Sequence, residues 1–412
     1  NILQIFLLHN LNSPFASPKH IIPLTMFNIH FFENNKIELS YLIAIIKFIF
    51  RVGGEKMNKL SAKHFILFIF GVTYISFKTY PSLFIAEGGR DTWLYTLAIY
   101  LIFFAFAMYL IYVMDSRKIY NINEVFTQGL SKTLGNVFLF LFAFGLFLAS
   151  LECAAVETNI VKSCFFLGTP SWYIIAFFLL PSVFLIGKSI RSFLIFVITI
   201  ISSLGVNTVI LAILTEKYKD IKYIMPVFAG SIGSEFLSTF LLVLGSLSAF
   251  VISLPYLRYL NNGKDLRKHS FIALGILGIV CIYVLIGILS TFGPLRAANL
   301  FYPEFTQSQR VQLVSFIEFA DFFFLYQTVM GFFLKYIISA YGVYIIYKKY
   351  IKNHKYFITV YTLAIFIFGT FLSRNNYILF YLLKYYQYIN LILFVAVPLI
   401  AFTAFSLRSK KK

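Results

Sequence analysis

The chain has 412 residues, of which 60% are hydrophobic and only 12% charged, a balance that excludes a soluble domain and a disordered one alike. Its formal net charge of +19 raises nucleic-acid binding as a reading. Sorted by alternate loops from Met57 onward, however, Lys and Arg number 19 on one side and 8 on the other, which is the positive-inside pattern of a membrane protein with both termini in the cytoplasm. The charge is topology, and no nucleic-acid partner is expected.

Residues 1–56 read differently from the rest. They begin at Asn1, their longest apolar run (39–50) is too short to span a bilayer, and no basic start followed by a cleavage site marks a signal peptide. The codons of Gly53-Gly54-Glu55-Lys56 would be purine-rich, as a ribosome-binding site is. We therefore expect translation to begin at Met57, with 1–56 a non-native or disordered leader and 57–412 the transmembrane domain.

Ten apolar stretches follow, at residues 65–84, 93–113, 134–166, 172–186, 193–214, 236–257, 271–292, 322–347, 357–372 and 389–407. A hydrocarbon core of about 30 Å needs roughly 20 helical residues, and the short fourth and ninth runs have apolar or small flanks that extend them. Runs this long without alternation mean helices, not barrel strands. The expected class is all-α, a polytopic bundle of ten spans. Three connections are long: 115–133, with room for a short surface helix; 215–235, carrying Lys217, Lys219 and Lys222; and 293–321, where Tyr302-Pro303 precedes a polar, weakly helical run. Long ordered loops in such proteins cover a pathway or meet a partner.

Cys153, Cys164 and Cys281 form no C-x-x-C pair, and the first two fall on one helix too far apart to bridge. The six His residues are scattered without ligand spacing, so neither a metal site nor a cofactor is expected. Gly53-Gly54 and Gly88-Gly89 lack the strand-turn-helix setting of a phosphate loop. No nucleophile stands beside a base at readable spacing, so the chain does not read as an enzyme.

Tyr302-Pro303 and the run Ser315-Phe316-Ile317-Glu318-Phe319-Ala320-Asp321 resemble the tyrosine-proline and acidic F-L-E-x-x-E pattern of the spore germination permeases. Further matching pieces are Pro81 with Asp91-Thr92-Trp93, Leu167-Gly168-Thr169-Pro170-Ser171-Trp172, Leu254-Pro255-Tyr256-Leu257, and Gly331 with Lys335, spread in order over residues 57–347. Each is weak alone, and their ordered set is specific. That family comprises the B subunits of germinant receptors, within the amino acid/polyamine/organocation superfamily. The resemblance implies two inverted five-helix repeats with the first and sixth spans broken near mid-membrane. It also implies partner subunits of A and C type, and a place in the spore inner membrane.

Inverted repeats put a ligand where unwound backbone offers free N–H and C=O groups. In the sixth span the candidate break is Gly245-Ser246-Leu247-Ser248, which reads equally as a small-residue packing surface until the resemblance favours the break. The first span departs from the family: Ser76-Phe77-Lys78-Thr79-Tyr80 stands where relatives carry a glycine-rich turn, and Ser246 stands where many carry glutamate. Pro81 still removes a donor and loosens the preceding turn. The expected ligand contacts are Ser76, Phe77, Thr79, Gly245, Ser246 and Ser248.

A charge near the bilayer centre costs about 2.5–3.5 kcal/mol on insertion scales, so each needs a reason. Lys335 lies midway along the eighth span on one face with Asp321, Leu325, Thr328 and Phe332. Glu152, central in the third span, is its best partner by depth; Glu157 points about 140° away and sits nearer the outer surface. The pair is expected to serve as an internal charge, ion-coupling or structural. Lys78 and Lys162 read as snorkelling anchors. Tyr302, Pro303, Glu318 and Asp321 are expected to form a lid or partner contact. The functions in competition are a nutrient-sensing receptor subunit, a proton- or sodium-coupled amino acid carrier, and a ligand-gated cation path; one fold can host all three.

Overall fold

The structure is a computed structural model that describes residues 60–227, 233–261, 263–311 and 320–408. The expected leader over 1–56 and Glu318 lie outside these residues. Every described element is helical, apart from a single isolated bridge between Leu60 and Leu260. Eight stretches among the described residues are long and apolar enough to cross a membrane, so the protein is an all-α polytopic membrane protein. They account for eight of the ten expected spans. The first and fourth fall to shorter helices, α1 (Ala62–Lys78, 17 residues) and α6 (Ser171–Ile186, 16 residues), so length alone does not fix the count at ten.

In chain order α1 is followed by α2 (Pro81–Gly88), α3 (Thr92–Arg117), the short α4 (Ile122–Gly129) and the long α5 (Lys132–Cys164). Then come α6, α7 (Ile190–Thr215) and α8 (Ser234–Leu247), which runs into a 3-10 segment, Ser248–Tyr259. The rest comprises α9 (Leu266–Ala298), α10 (Pro303–Gln309), α11 (Ala320–Tyr347), α12 (His354–Leu372) and α13 (Asn376–Asn390), which passes through a π segment at Leu391–Ala396 into α14 (Val397–Arg408). The surface helix expected within 115–133 is α4, started by the Asn121 side chain accepting from Asn123 N. One expectation is corrected: the last span begins at Asn376, not near residue 389, because Asn375 caps the N–H groups of Tyr377 and Ile378 and starts the helix ahead of the apolar run.

α11 is the central post. It packs most extensively on α5, and 83% of its most apolar window is buried, against 28% for the peripheral α12. Outward faces of α3, α5 and α6 expose Leu101, Phe140 and Phe184, as helices solvated by lipid do. α9 kinks where Gly293 takes φ 71°, a left-handed conformation open to glycine, directly before Pro294.

Candidate functional site

The first span breaks between α1 and α2. Pro81 has no N–H to give Phe77, and the Phe77 carbonyl takes Tyr80 N at 3.4 Å instead. The Ser76 and Thr79 hydroxyls turn back onto the Val72 and Ile75 carbonyls at 2.7 Å each, which loosens the last turn further. Tyr80 N is thereby diverted from the Ser76 carbonyl, its partner in a continuous helix, and that carbonyl accepts the Ser246 hydroxyl at 2.9 Å. Ser246 lies two residues before the sixth span tightens from α-helix to 3-10, where Ser248 Oγ donates to the Gly245 carbonyl at 2.6 Å. A 3-10 run of 12 residues is far beyond the usual ~3–4 and marks strain or a hinge.

Beneath the break lies a buried charge cluster. Lys335 Nζ stands 2.5 Å from Glu152 Oε2, with the two side chains 1% and 2% exposed. Tyr80, in the linker between α1 and α2, donates its hydroxyl to Glu152 Oε1, and Tyr386 lies within electrostatic reach of the same carboxylate. Both carboxylate oxygens are therefore satisfied, which a pair this deep requires. One side chain of α5 reads the position of the break and of α11 together. Glu157, one turn and a half further along α5, is also buried, and its contact is a long one from Thr158 Oγ1 at 3.5 Å.

Above the break is a cavity of about 40 Å³, room for a few water molecules. Lys78, Thr79 and Pro81 form one wall, Gln327 and Thr328 of α11 another, and Tyr302, Pro303 and Glu304 the cover. The cover is tied down at three points. Lys78 Nζ and Glu304 Oε2 pair at 2.8 Å, both largely buried. The Tyr302 hydroxyl donates to Asn159 Oδ1, and Asn159 in turn donates to Asn376 Oδ1 at 2.8 Å. Ser308 Oγ donates to Asp321 Oδ1 at 2.8 Å, which fastens α10 to the start of α11. Burial pushes the Glu304 carboxyl above its ordinary range, and the Lys78 ammonium pulls it partly back. Gln327 is oriented by Asn207, whose amide donates to Gln327 Oε1 at 2.6 Å.

Of the six expected ligand contacts, Thr79 lines this cavity. Ser76, Phe77, Gly245, Ser246 and Ser248 are buried between helices. A Cβ on Gly245 would lie 2.3 Å from the Gln387 carbonyl oxygen, so this glycine is a close-packing point against α13. Tyr302 and Pro303 cover the cavity, and Asp321 anchors the cover from outside it. Lys78, read from the sequence as a snorkelling anchor, is instead an ion-pair partner. Sequence reasoning passed over Glu304 and Tyr80, although both were signalled. Glu304 is the first-turn acid after Tyr302-Pro303, and Tyr80 is the residue that Pro81 forces out of the helix.

No curated protein matches the chain in a sequence comparison. A family model described as spore germination protein matches residues 59–378, a segment that holds the break in the first span, the 3-10 segment of the sixth, the Glu152–Lys335 pair and the cover over the cavity. That segment is more than three quarters of the sequence, and the chain belongs to the spore germination protein family.

Proposed function

We propose that this protein is the membrane subunit of a spore germinant receptor, sited in the spore inner membrane. A small zwitterionic nutrient, an amino acid by class, binds beside the break in the first span, and the change passes to partner subunits of A and C type. The observation that carries this reading is the Lys78–Glu304 pair, which joins the broken span to the cover of the cavity. An amino acid presents a carboxylate and an ammonium of its own, so it can satisfy Lys78 and Glu304 separately. A space of about 40 Å³ does not hold such a ligand, so entry has to lift α10. Binding is then coupled to movement of a segment that other subunits can sense.

The test is a spore lacking the native gene and carrying Lys78→Met or Glu304→Gln, scored against a panel of amino acids. A shifted or lost response with normal protein level supports the site. An unchanged dose response to every nutrient the parent recognises removes it.

A second reading, a proton-coupled amino acid carrier, is favoured by Glu157, a buried carboxylate with no ion-pair partner among the described residues. Intramembrane carboxylates of this kind serve proton relays. Uptake of labelled amino acid by vesicles holding this protein alone, abolished by Glu157→Gln, would decide for the carrier.

A further inference from the structure

At the lysine-rich end of the bundle, remote from the cavity above, a second and larger opening of about 850 Å³ lies between α4, the start of α5 and the end of α11. Its walls carry Arg258, Lys348 and Lys349 together with Tyr347, Tyr350 and Asn136. The three cations come from the ends of two different spans, the 3-10 segment and α11. All three are exposed, and none forms a salt bridge among the described residues. The one carboxylate on the wall, Glu124, is engaged by Asn121 Nδ2 at 2.7 Å. The walls are fixed in place: Asn123 Nδ2 donates to the Ile346 carbonyl at 2.9 Å, which holds α4 against α11.

Asn136 of this opening also belongs to a shallow, open stretch of the α5 surface, with Lys132, Thr133, Val137 and Phe140. Along this surface Lys132, Asn136 and Phe140 repeat at four-residue steps, so they form one stripe that changes from cationic to apolar along the helix. Val137 and Phe140 are 50% and 60% exposed on a face that meets lipid.

We propose that the opening and the adjoining α5 face bind an anionic phospholipid, with the phosphate held among Arg258, Lys348 and Lys349 and an acyl chain laid along Val137 and Phe140. A basic opening that leads onto an apolar helix face matches both halves of such a molecule, and a soluble anion would use only the first half. Bound there, one headgroup bridges the ends of the sixth and eighth spans. The simpler account is that these residues belong to a diffuse positive surface, and the experiment has to separate the two.

Full-length protein in a neutral detergent is titrated with phosphatidylglycerol, with phosphatidylcholine and with free glycerol phosphate, and bound lipid is read by native mass spectrometry. Phosphatidylglycerol is expected to be retained over phosphatidylcholine. The variant Arg258→Gln/Lys348→Gln/Lys349→Gln should weaken that retention by about 100-fold, at about fivefold for each basic group facing an anionic surface. A control that removes the same charge elsewhere at this end, Lys188→Gln/Lys352→Gln/Lys355→Gln, should retain it. Arg258→Lys/Lys348→Arg/Lys349→Arg, which keeps the charge, should retain most of it and shows that the positions tolerate substitution. Equal losses in the first two variants would mean diffuse charge and overturn the proposal. So would free glycerol phosphate displacing the lipid at matched concentration, or equal retention of phosphatidylcholine.

Discussion

The Ser246 hydroxyl donates to the Ser76 main-chain carbonyl at 2.9 Å, so the sixth span supplies the hydrogen bond that the break in the first span has removed. Both residues are buried, and no solvent can replace the donor. Ser246→Ala leaves that carbonyl unpaired and should cost about 1–3 kcal/mol in thermal or denaturant unfolding of the detergent-solubilised protein. Ser246→Thr, which keeps a hydroxyl, should cost less where the added methyl fits. Equal stability of Ser246→Ala and the parent would mean that this bond does not hold the first and sixth spans together.

Lys335 and Glu152 make a stronger case because each is a full charge in the bundle core. Lys335→Met strands the carboxylate and should destabilise the protein by about 3–5 kcal/mol, whereas adding Glu152→Gln should recover much of that loss. Lys335→Arg keeps the charge and loses the geometry, so it should rescue poorly. The double variant separates structure from coupling. If it folds and the spores answer nutrient normally, the pair is structural. If it folds and the response is gone, the charge itself takes part. Normal stability and response in Lys335→Met would remove both readings.

The spans were legible because lipid forces long apolar runs into helices, and the break in the first span because Pro81 withholds an N–H. At Gly245–Ser248 the residues alone left a break and a packing surface equally open; the expected break is corrected there, because the sixth span tightens to 3-10 without interruption and Gly245 packs on α13. Glu152 and Lys335 could be matched by depth alone, since each needs a partner in the same slab of membrane. Other parts depend on what packs where. Residues 376–388 fell outside the ten apolar stretches because Lys384 and Gln387 interrupt their hydrophobicity, yet Gln387 is buried against neighbours and Lys384 pairs with Glu87. Lys78 looked close enough to its helix end to reach water. Its true partner lies on α10, and no local pattern links the two segments.

Gly245 tests the packing of the sixth span directly. Its position against the Gln387 backbone leaves no room for a methyl group, since the oxygen there belongs to a main chain that cannot rotate away. Gly245→Ala should therefore lower stability by about 1–3 kcal/mol through overpacking, and Gly245→Leu should lower the amount of folded protein as well as any response. A leucine variant made at parental level, with unchanged unfolding, would show that α8 and α13 do not approach this closely.

Glu304 gives the site a pH dependence whose sign follows from its burial. In the closed arrangement its carboxyl is held above the ordinary value of 4.5, by burial first and with Lys78 opposing. A lifted cover returns it to water and to the ordinary value, so the closed state binds the proton more tightly. Closure is most favoured below the ordinary value, weakens as pH rises from there through the raised one, and then levels off. If the nutrient enters by lifting α10, less of it should be needed as pH climbs through that window. Glu304→Gln cannot ionise and should flatten the profile near its acid limit. Lys78→Met removes the opposing ammonium and should carry the window to higher pH. The measurement is the nutrient dose response of variant spores, paired with hydrogen exchange of α10 in the purified protein, from about pH 5 to about pH 8. Identical pH profiles in the parent and Glu304→Gln would show that this carboxyl does not control the cover.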